Sequence, residues 1–326
     1  LTMGRIGVLA LVVLLLSPIS GWALDAETQA AKEEGLRLYN AHLRSQASPY
    51  LEPAAEAGDA EAMYYLGEIH RLRHMGMTRE ALEWYQRAAE KGEPYAMLRL
   101  HQGGACQLGD VCPESGDDWR EAALETTLPL AEAGDTEAMY TLFLIYSTLE
   151  ETEQSYHWLE TAAETGNPEA EYRLGARIQN DYGDYPDNTA RLQEAEAWLR
   201  RAAEQGHAPA MSRLSATLSQ QERHEESWEW MIQASEKGLL DARLGMGWCY
   251  LEPDRDQKCL VEQDVVTGWA ILFAMVEETN NVSAEWLLQT RGELLTAEQH
   301  QEAEALSEEW LDKEPPLSEF PPRFGY

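Results

Sequence analysis

The sequence predicts an all-α solenoid of about six stacked helical hairpins, closed by capping helices at both ends. Three observations point there. The tripeptide Ala-Glu-X-Gly or a close variant returns six times, ending at Gly58, Gly92, Gly134, Gly166, Gly206 and Gly238. The intervals are 34, 42, 32, 40 and 32 residues, the range in which a unit is too small to fold alone and buries its apolar face on its neighbours. Between glycines, apolar residues recur at helical rather than strand spacing.

One unit shows the logic. After Gly58, Asp59 suits the cap of a helix over residues 60–74, with Ala62, Leu66 and Ile69 on one face. Met75-Gly76-Met77 breaks it, and Thr78 caps a second helix through Ala81, Trp84, Tyr85, Ala88 and Ala89. Gly92 then ends that helix, as a residue tolerant of positive φ does. The same grammar runs through residues 95–133, 136–165, 168–205, 208–237 and 240–279, so the array occupies 58–280. The two long intervals place insertions between a unit's helices, one containing CQLGDVCPESG and the other NDYGDYPDN.

Residues 24–57 form a degenerate opening unit, and 281–312 supply a closing pair of helices over 283–295 and 297–311. Terminal units of a solenoid are atypical because their outer faces meet water. The tail, 313–326, carries four prolines and is expected to be extended. Pro53 and Pro129 fall inside second helices, and the 212–219 helix is poor in large apolar residues; both features predict kinked or loosely packed units.

At the N-terminus Arg5 precedes an apolar run over 6–16, followed by Ser17-Pro18 and small residues to Ala23. This reads as a secretory signal over 1–23 cleaved after Ala23, with an uncleaved anchor as the competing reading. Four cysteines fall as two close pairs, Cys106 with Cys112 and Cys249 with Cys259. An oxidising compartment favours two local disulfides, each worth about 2–3 kcal/mol by loop closure, over a zinc site lacking CxxC spacing. With 58 acidic against 25 basic residues the chain carries −33. Such a polyanion repels nucleic acid and anionic lipid, and it attracts cationic partners.

AEAMYYLGEIH followed by EALEWYQRAAEKG resembles the Sel1-like repeat, a relative of the tetratricopeptide repeat, and PEAEYRLGARI with AEAWLRRAAEQG matches it equally well. The resemblance extends over roughly residues 50–310. It implies a right-handed superhelix whose first helices line a concave, protein-binding face.

No catalytic arrangement stands out. GxSxG is absent, and His224-Glu225 is followed by Trp228 where HExxH needs its second histidine. His70 and His74 have ligand spacing but are flanked by Arg71 and Arg73. NDYGDYPDN lacks the DxDxDG order of a calcium loop. No cofactor or metal is expected.

If first helices line the inner face, residues at equal distances from the anchor glycines share it. Three residues on lie Glu61, Glu137 and Glu169; six on lie Tyr64, Tyr140 and Tyr172. One reading is a groove with carboxylate and aromatic ladders suited to a basic, partly extended polypeptide. The other is that these residues, which resemble the repeat consensus, pack units together. The general resemblance extends to exported Sel1-like immunity proteins that guard the periplasm against type VI lipase effectors. It implies a periplasmic inhibitor of a basic lipase or phospholipase. An envelope scaffold or adaptor is the alternative, ahead of a β-lactam-binding or hydrolysing enzyme.

Overall fold

The computed structural model describes residues 24–102, 117–180, 182–255, 259–311, 313–321 and 323. The apolar run before Leu24 and the Cys106/Cys112 pair lie outside them. The chain is an α-solenoid with sixteen α-helices among the described residues. Helices α1 (Ala26–Asn40) and α2 (Arg44–Glu56) open it. Four further hairpins follow: α3 (Ala60–Arg73) with α4 (Arg79–Glu90), α5 (Pro94–His101) with α6 (Asp117–Glu132), α7 (Thr136–Thr148) with α8 (Thr152–Glu164), and α9 (Pro168–Gln179) with α10 (Asn188–Glu204). Next come α11 (Ala208–Gln220) with α12 (His224–Glu236), and α13 (Leu240–Leu251) with α14 (Val265–Thr279). Helices α15 (Val282–Arg291) and α16 (Ala297–Leu311) close the stack, and α16 packs back on α14. Among the described residues no helix is long and apolar enough to cross a membrane.

The recurring glycines are the joints. All six have φ between 80° and 97°. The amide after each reaches back five residues, as Asp59 N to Ala54 O and Asn167 N to Ala162 O, both at 3.0 Å. This capping pattern satisfies carbonyls the ending helix would leave orphaned. The same residue then starts the next helix. Asp59, Asp135, Asn167 and His207 each accept the amide three residues ahead, so one glycine and one cap turn the chain within two residues.

Each hairpin closes over small side chains. A Cβ on Gly67 would lie 2.5 Å from the Tyr85 ring, and one on Gly247 2.9 Å from Leu272. Gly67→Ala is therefore expected to lower the unfolding free energy by about 1–2 kcal/mol, because the buried Tyr85 ring must move away from its bond to Glu68. Urea unfolding of the variant measures this.

The three units expected to be weak are well packed. Helix α2 runs unbroken through Pro49 and Pro53 and fully buries Leu51, Ala54 and Ala55; α6 likewise continues through Pro129. Each proline costs one backbone hydrogen bond, and the buried alanine-leucine face outweighs that loss. The 212–219 segment belongs to α11, where Leu214 and Leu218 are fully buried. Its serines have a packing role: Ser215 Oγ donates to Ser227 O at 2.7 Å and Ser227 Oγ to Ser215 O at 2.8 Å, joining α11 to α12.

Cys249 and Cys259 form a disulfide that closes the α13–α14 connection. Of the tryptophans in this region, Trp228 is buried, while Trp248 joins Val282 and Trp286 in an exposed apolar patch.

The array curls back on itself. Ser318 hydrogen-bonds to Gly238 and Leu240 at the α12–α13 joint, and the next residue, Glu319, donates its amide to Asn40 O of α1 at 2.9 Å. Two adjacent tail residues thus touch the first hairpin and the start of α13. The five hairpins between must wind around a central space.

Candidate partner-binding groove

The wall of that space is built from first helices. Two cavities of about 720 and 940 Å³ lie along it. The smaller is bounded by Tyr65, Tyr95, Glu137 and Tyr140 from α3, α5 and α7, together with residues of α1. The larger is bounded by Tyr172, Arg173, Arg213 and Asp241 from α9, α11 and α13. Glu169 and Phe320 line both, so the tail forms the partition between them.

Of the two ladders, Glu137, Tyr140, Glu169 and Tyr172 line these cavities, while Glu61 and Tyr64 line neither. Glu61 is paired with Lys32 of α1 at 2.9 Å and with Arg323 of the tail at 3.6 Å. Tyr64 is fully buried among the rings of Tyr65, Tyr85 and Tyr95, and its hydroxyl donates to the Arg323 carbonyl. Glu137 is exposed, and its carboxylate accepts from Asn167 Nδ2 at 3.1 Å. Tyr140 is buried and donates to Glu169 at 3.3 Å. Tyr172 is half-buried, its ring 5.1 Å from that of His207.

Glu169 is the most constrained of the six. Arg173 Nε reaches one carboxylate oxygen at 2.7 Å and His207 Nε2 the other at 2.8 Å. Burial alone would raise its pKa; the His207 hydrogen bond and Arg173 outweigh this and hold it at about 2. Lys32, Arg173 and Arg213 therefore place cations among the carboxylates, and the wall is of mixed charge rather than uniformly acidic.

The tail docks where the repeat departs from its own rule. In four of the six joints the residue after the glycine is a polar side chain that caps the next helix. At α5 it is Glu93 and at α13 it is Leu239, and neither caps its helix through a side chain. At α13 the tail pairs with the joint backbone instead: Leu240 N donates to Ser318 O at 3.0 Å, while Ser318 N donates to Gly238 O at 2.8 Å. The pair forms a parallel β-bridge between Leu239 and Ser318. Gly238 leaves the room, since a Cβ there would sit 2.5 Å from Pro316 O. At α5 the freed Glu93 carboxylate takes Arg323, with Nη2 at 3.1 Å from Oε2. The guanidinium carbon stands 4.8 Å from the centroid of the Tyr95 ring. Leu317 N donates to Glu278 at 2.8 Å, and His42 pairs with Glu319.

Elsewhere polar groups serve packing. Asp187 of the NDYGDYPDN insertion caps α10, and Tyr182 stacks on Tyr156 at 4.1 Å. Among the described residues no group of three His, Cys, Asp or Glu side chains is placed to hold a metal ion.

A sequence model of the Sel1 repeat matches residues 60–93, 137–167, 168–207 and 209–239. The chain carries Sel1 repeats. The matched spans begin at or close to first helices, so the Sel1 unit and the hairpin described above coincide. No curated protein matches the chain. A solved protective antigen of uropathogenic Escherichia coli strains, displaying an SLR fold, is 24% identical with a TM-score of 0.50. That alignment covers 88% of this chain and 62% of the antigen, and the likeness is one of fold. A Sel1 repeat protein from Oxalobacter formigenes is 22% identical with a TM-score of 0.45, covering 87% of this chain and 85% of that one. An immunity protein from Pseudomonas aeruginosa is 20% identical with a TM-score of 0.40, covering 59% of this chain and 71% of that one.

Proposed function

We propose that this Sel1-repeat protein is a non-enzymatic polypeptide-binding protein of the periplasm. Its partner is a secreted effector with a basic face, such as a type VI lipase or phospholipase, and binding occludes that enzyme. The observation that carries the reading is the central groove, whose wall offers aromatic rings and carboxylates to an extended chain. A net charge of −33 steers a cationic protein toward it, and the mixed wall sets register once it arrives. An enzyme that works on anionic phospholipid presents positive charge to its substrate; the same surface is open to capture by a polyanion. Occlusion needs no chemistry from the inhibitor.

Glu137 gives the cleanest test, because its carboxylate is exposed on the wall whereas Glu61 and Glu169 already hold cations. In an inhibition assay with a basic periplasm-targeted phospholipase, Glu137→Lys is expected to weaken inhibition at least about ten-fold, one reversed charge at a close contact being worth more than about 1.4 kcal/mol. Helicity should stay unchanged. Raising salt from 50 to 500 mM should weaken the wild-type complex in the same direction. Equal potency of the variant and the wild type would refute the assignment of the groove.

A further inference from the structure

Part of the tail, including Ser318, Phe320 and Arg323, lies along the groove. Two anchor points hold it. One is the strand-like bracket at Ser318, where the chain donates to Gly238 O and accepts from Leu240 N. The other, five residues later, is the Arg323 guanidinium between Glu93 and Glu61 with the Tyr95 ring beside it. Both anchors use a joint residue that breaks the capping rule. A glutamate one methylene too long to cap α5, and a leucine that cannot cap α13, are features of the groove wall rather than of the tail.

The arginine fit is incomplete. Glu93 has only 9% of its side chain exposed, yet among the described residues its Oε1 finds no hydrogen-bond partner, and neither does Arg323 Nε. The contact is one-armed, Nη2 to Oε2, where an arginine and a carboxylate can form two parallel bonds. Tyr64 holds the Arg323 carbonyl, which fixes the tail backbone in the register that leaves the fork unmade. An arginine approaching on a different backbone is free of that tie.

We propose that the groove recognises an arginine carried on an extended segment of the partner. That arginine forks Glu93 beside Glu61 and Tyr95, and the tail residue Arg323, with the Ser318 anchor before it, is the resident competitor for the same site. The inference rests on the polypeptide-binding reading above and names the ligand chemistry it requires. A tethered tail acts at an effective concentration of the order of millimolar. Only a segment that completes the fork, or brings contacts elsewhere, displaces it. Weakly cationic passers-by do not. The tail thus raises selectivity, and the gap at Glu93 Oε1 gives the intended ligand its advantage.

The test uses the full chain and a fluorescent peptide of residues 313–326, with binding read by anisotropy. Wild type, its groove filled, should bind the peptide weakly. Arg323→Glu places a carboxylate against Glu61 and Glu93 and should release the tail, so the peptide binds this variant at least about ten-fold more tightly. Adding Glu93→Gln, which keeps the side-chain shape, should remove that gain, while Glu56→Gln at the remote Arg87 pair should leave it. Matching circular dichroism spectra establish that all variants fold. Equal peptide affinity in wild type and Arg323→Glu, or a gain that survives Glu93→Gln, overturns the proposal. If inhibition of the phospholipase persisted alongside either result, the inhibitor reading would stand and the arginine site would fall.

Discussion

Replacing Glu68 by alanine is expected to cost about 3–5 kcal/mol of unfolding free energy, the largest loss from a single polar substitution in this chain. Glu68 sits on α3 with only 3% of its surface exposed. Arg99 Nε and Nη2, from the next unit, meet its two oxygens at 2.6 and 3.1 Å. Arg71 Nη2 reaches it at 2.6 Å, and the Tyr85 hydroxyl donates at 2.6 Å. Burial alone would raise the carboxyl, but Arg71 and Arg99 outweigh it and keep it below its ordinary range. Alanine would leave two guanidiniums close together at a buried helix interface without the carboxylate between them. Glu56→Ala, which breaks the exposed pair with Arg87 at 3.0 Å, is the matched control and should cost less than about 1 kcal/mol. Urea unfolding of both variants separates the cases. A Glu68→Ala loss no larger than the control's would show that the cluster adds nothing to the joint between the units.

The contrast between that cluster and the helical joints explains what could be read from the sequence. The joints are local. Gly58 ends α2 and Asp59 starts α3 through contacts that reach no more than five residues, so the pattern survives in one dimension. Glu68 has one local partner, Arg71, and on that evidence looks like a surface ion pair. Its burial comes from Tyr85, 17 residues on, and Arg99, 31 residues on. Counting in repeat units places Arg99 on the neighbouring first helix, but not which way either side chain turns. The ladders behave alike: equal offsets from the glycines put Glu61, Glu137 and Glu169 at the same place in their first helices, and two of them, Glu137 and Glu169, line the cavities. The side chains that meet Glu61 and Glu169 from elsewhere, Lys32 and His207, come from other units.

The proline and serine expectations failed for a related reason. Propensity prices the backbone of one helix, whereas α2, α6 and α11 are held by faces shared with their neighbours. The tail site did leave a readable trace. Aligning the joints gives Asp59, Glu93, Asp135, Asn167, His207 and Leu239 at one position. The two residues unable to cap mark the two anchors of the tail. Arg323 is separated from Glu93 by 230 residues, so nothing in the sequence named the ligand of that gap. Only the closing of the array brings them together.

Acid should loosen the inner wall through Glu169, and the sign follows from its environment. Its folded pKa is about 2 against an ordinary value of 4.5. A depressed carboxyl adds stability that is fully present above the ordinary value and is lost as pH falls through the folded one. The window therefore runs from about pH 5 down to about pH 2. A shift of this size corresponds to about 2–3 kcal/mol once the 29% exposure of the side chain is allowed for. Glu93, Glu171 and Glu278 respond in the opposite sense, because burial raises each of them. Total stability against pH thus mixes both signs, and the contribution of Glu169 must be taken as a difference. Glu169→Gln keeps the shape and cannot ionise. The stability gap between wild type and this variant, measured by urea unfolding, should be constant from pH 7 to pH 5 and then shrink by about 2–3 kcal/mol toward pH 2. A gap that stays flat across that range would mean that His207 and Arg173 do not hold the carboxylate charged. The anchoring of α9 to the start of α11 would then have to come from apolar packing alone.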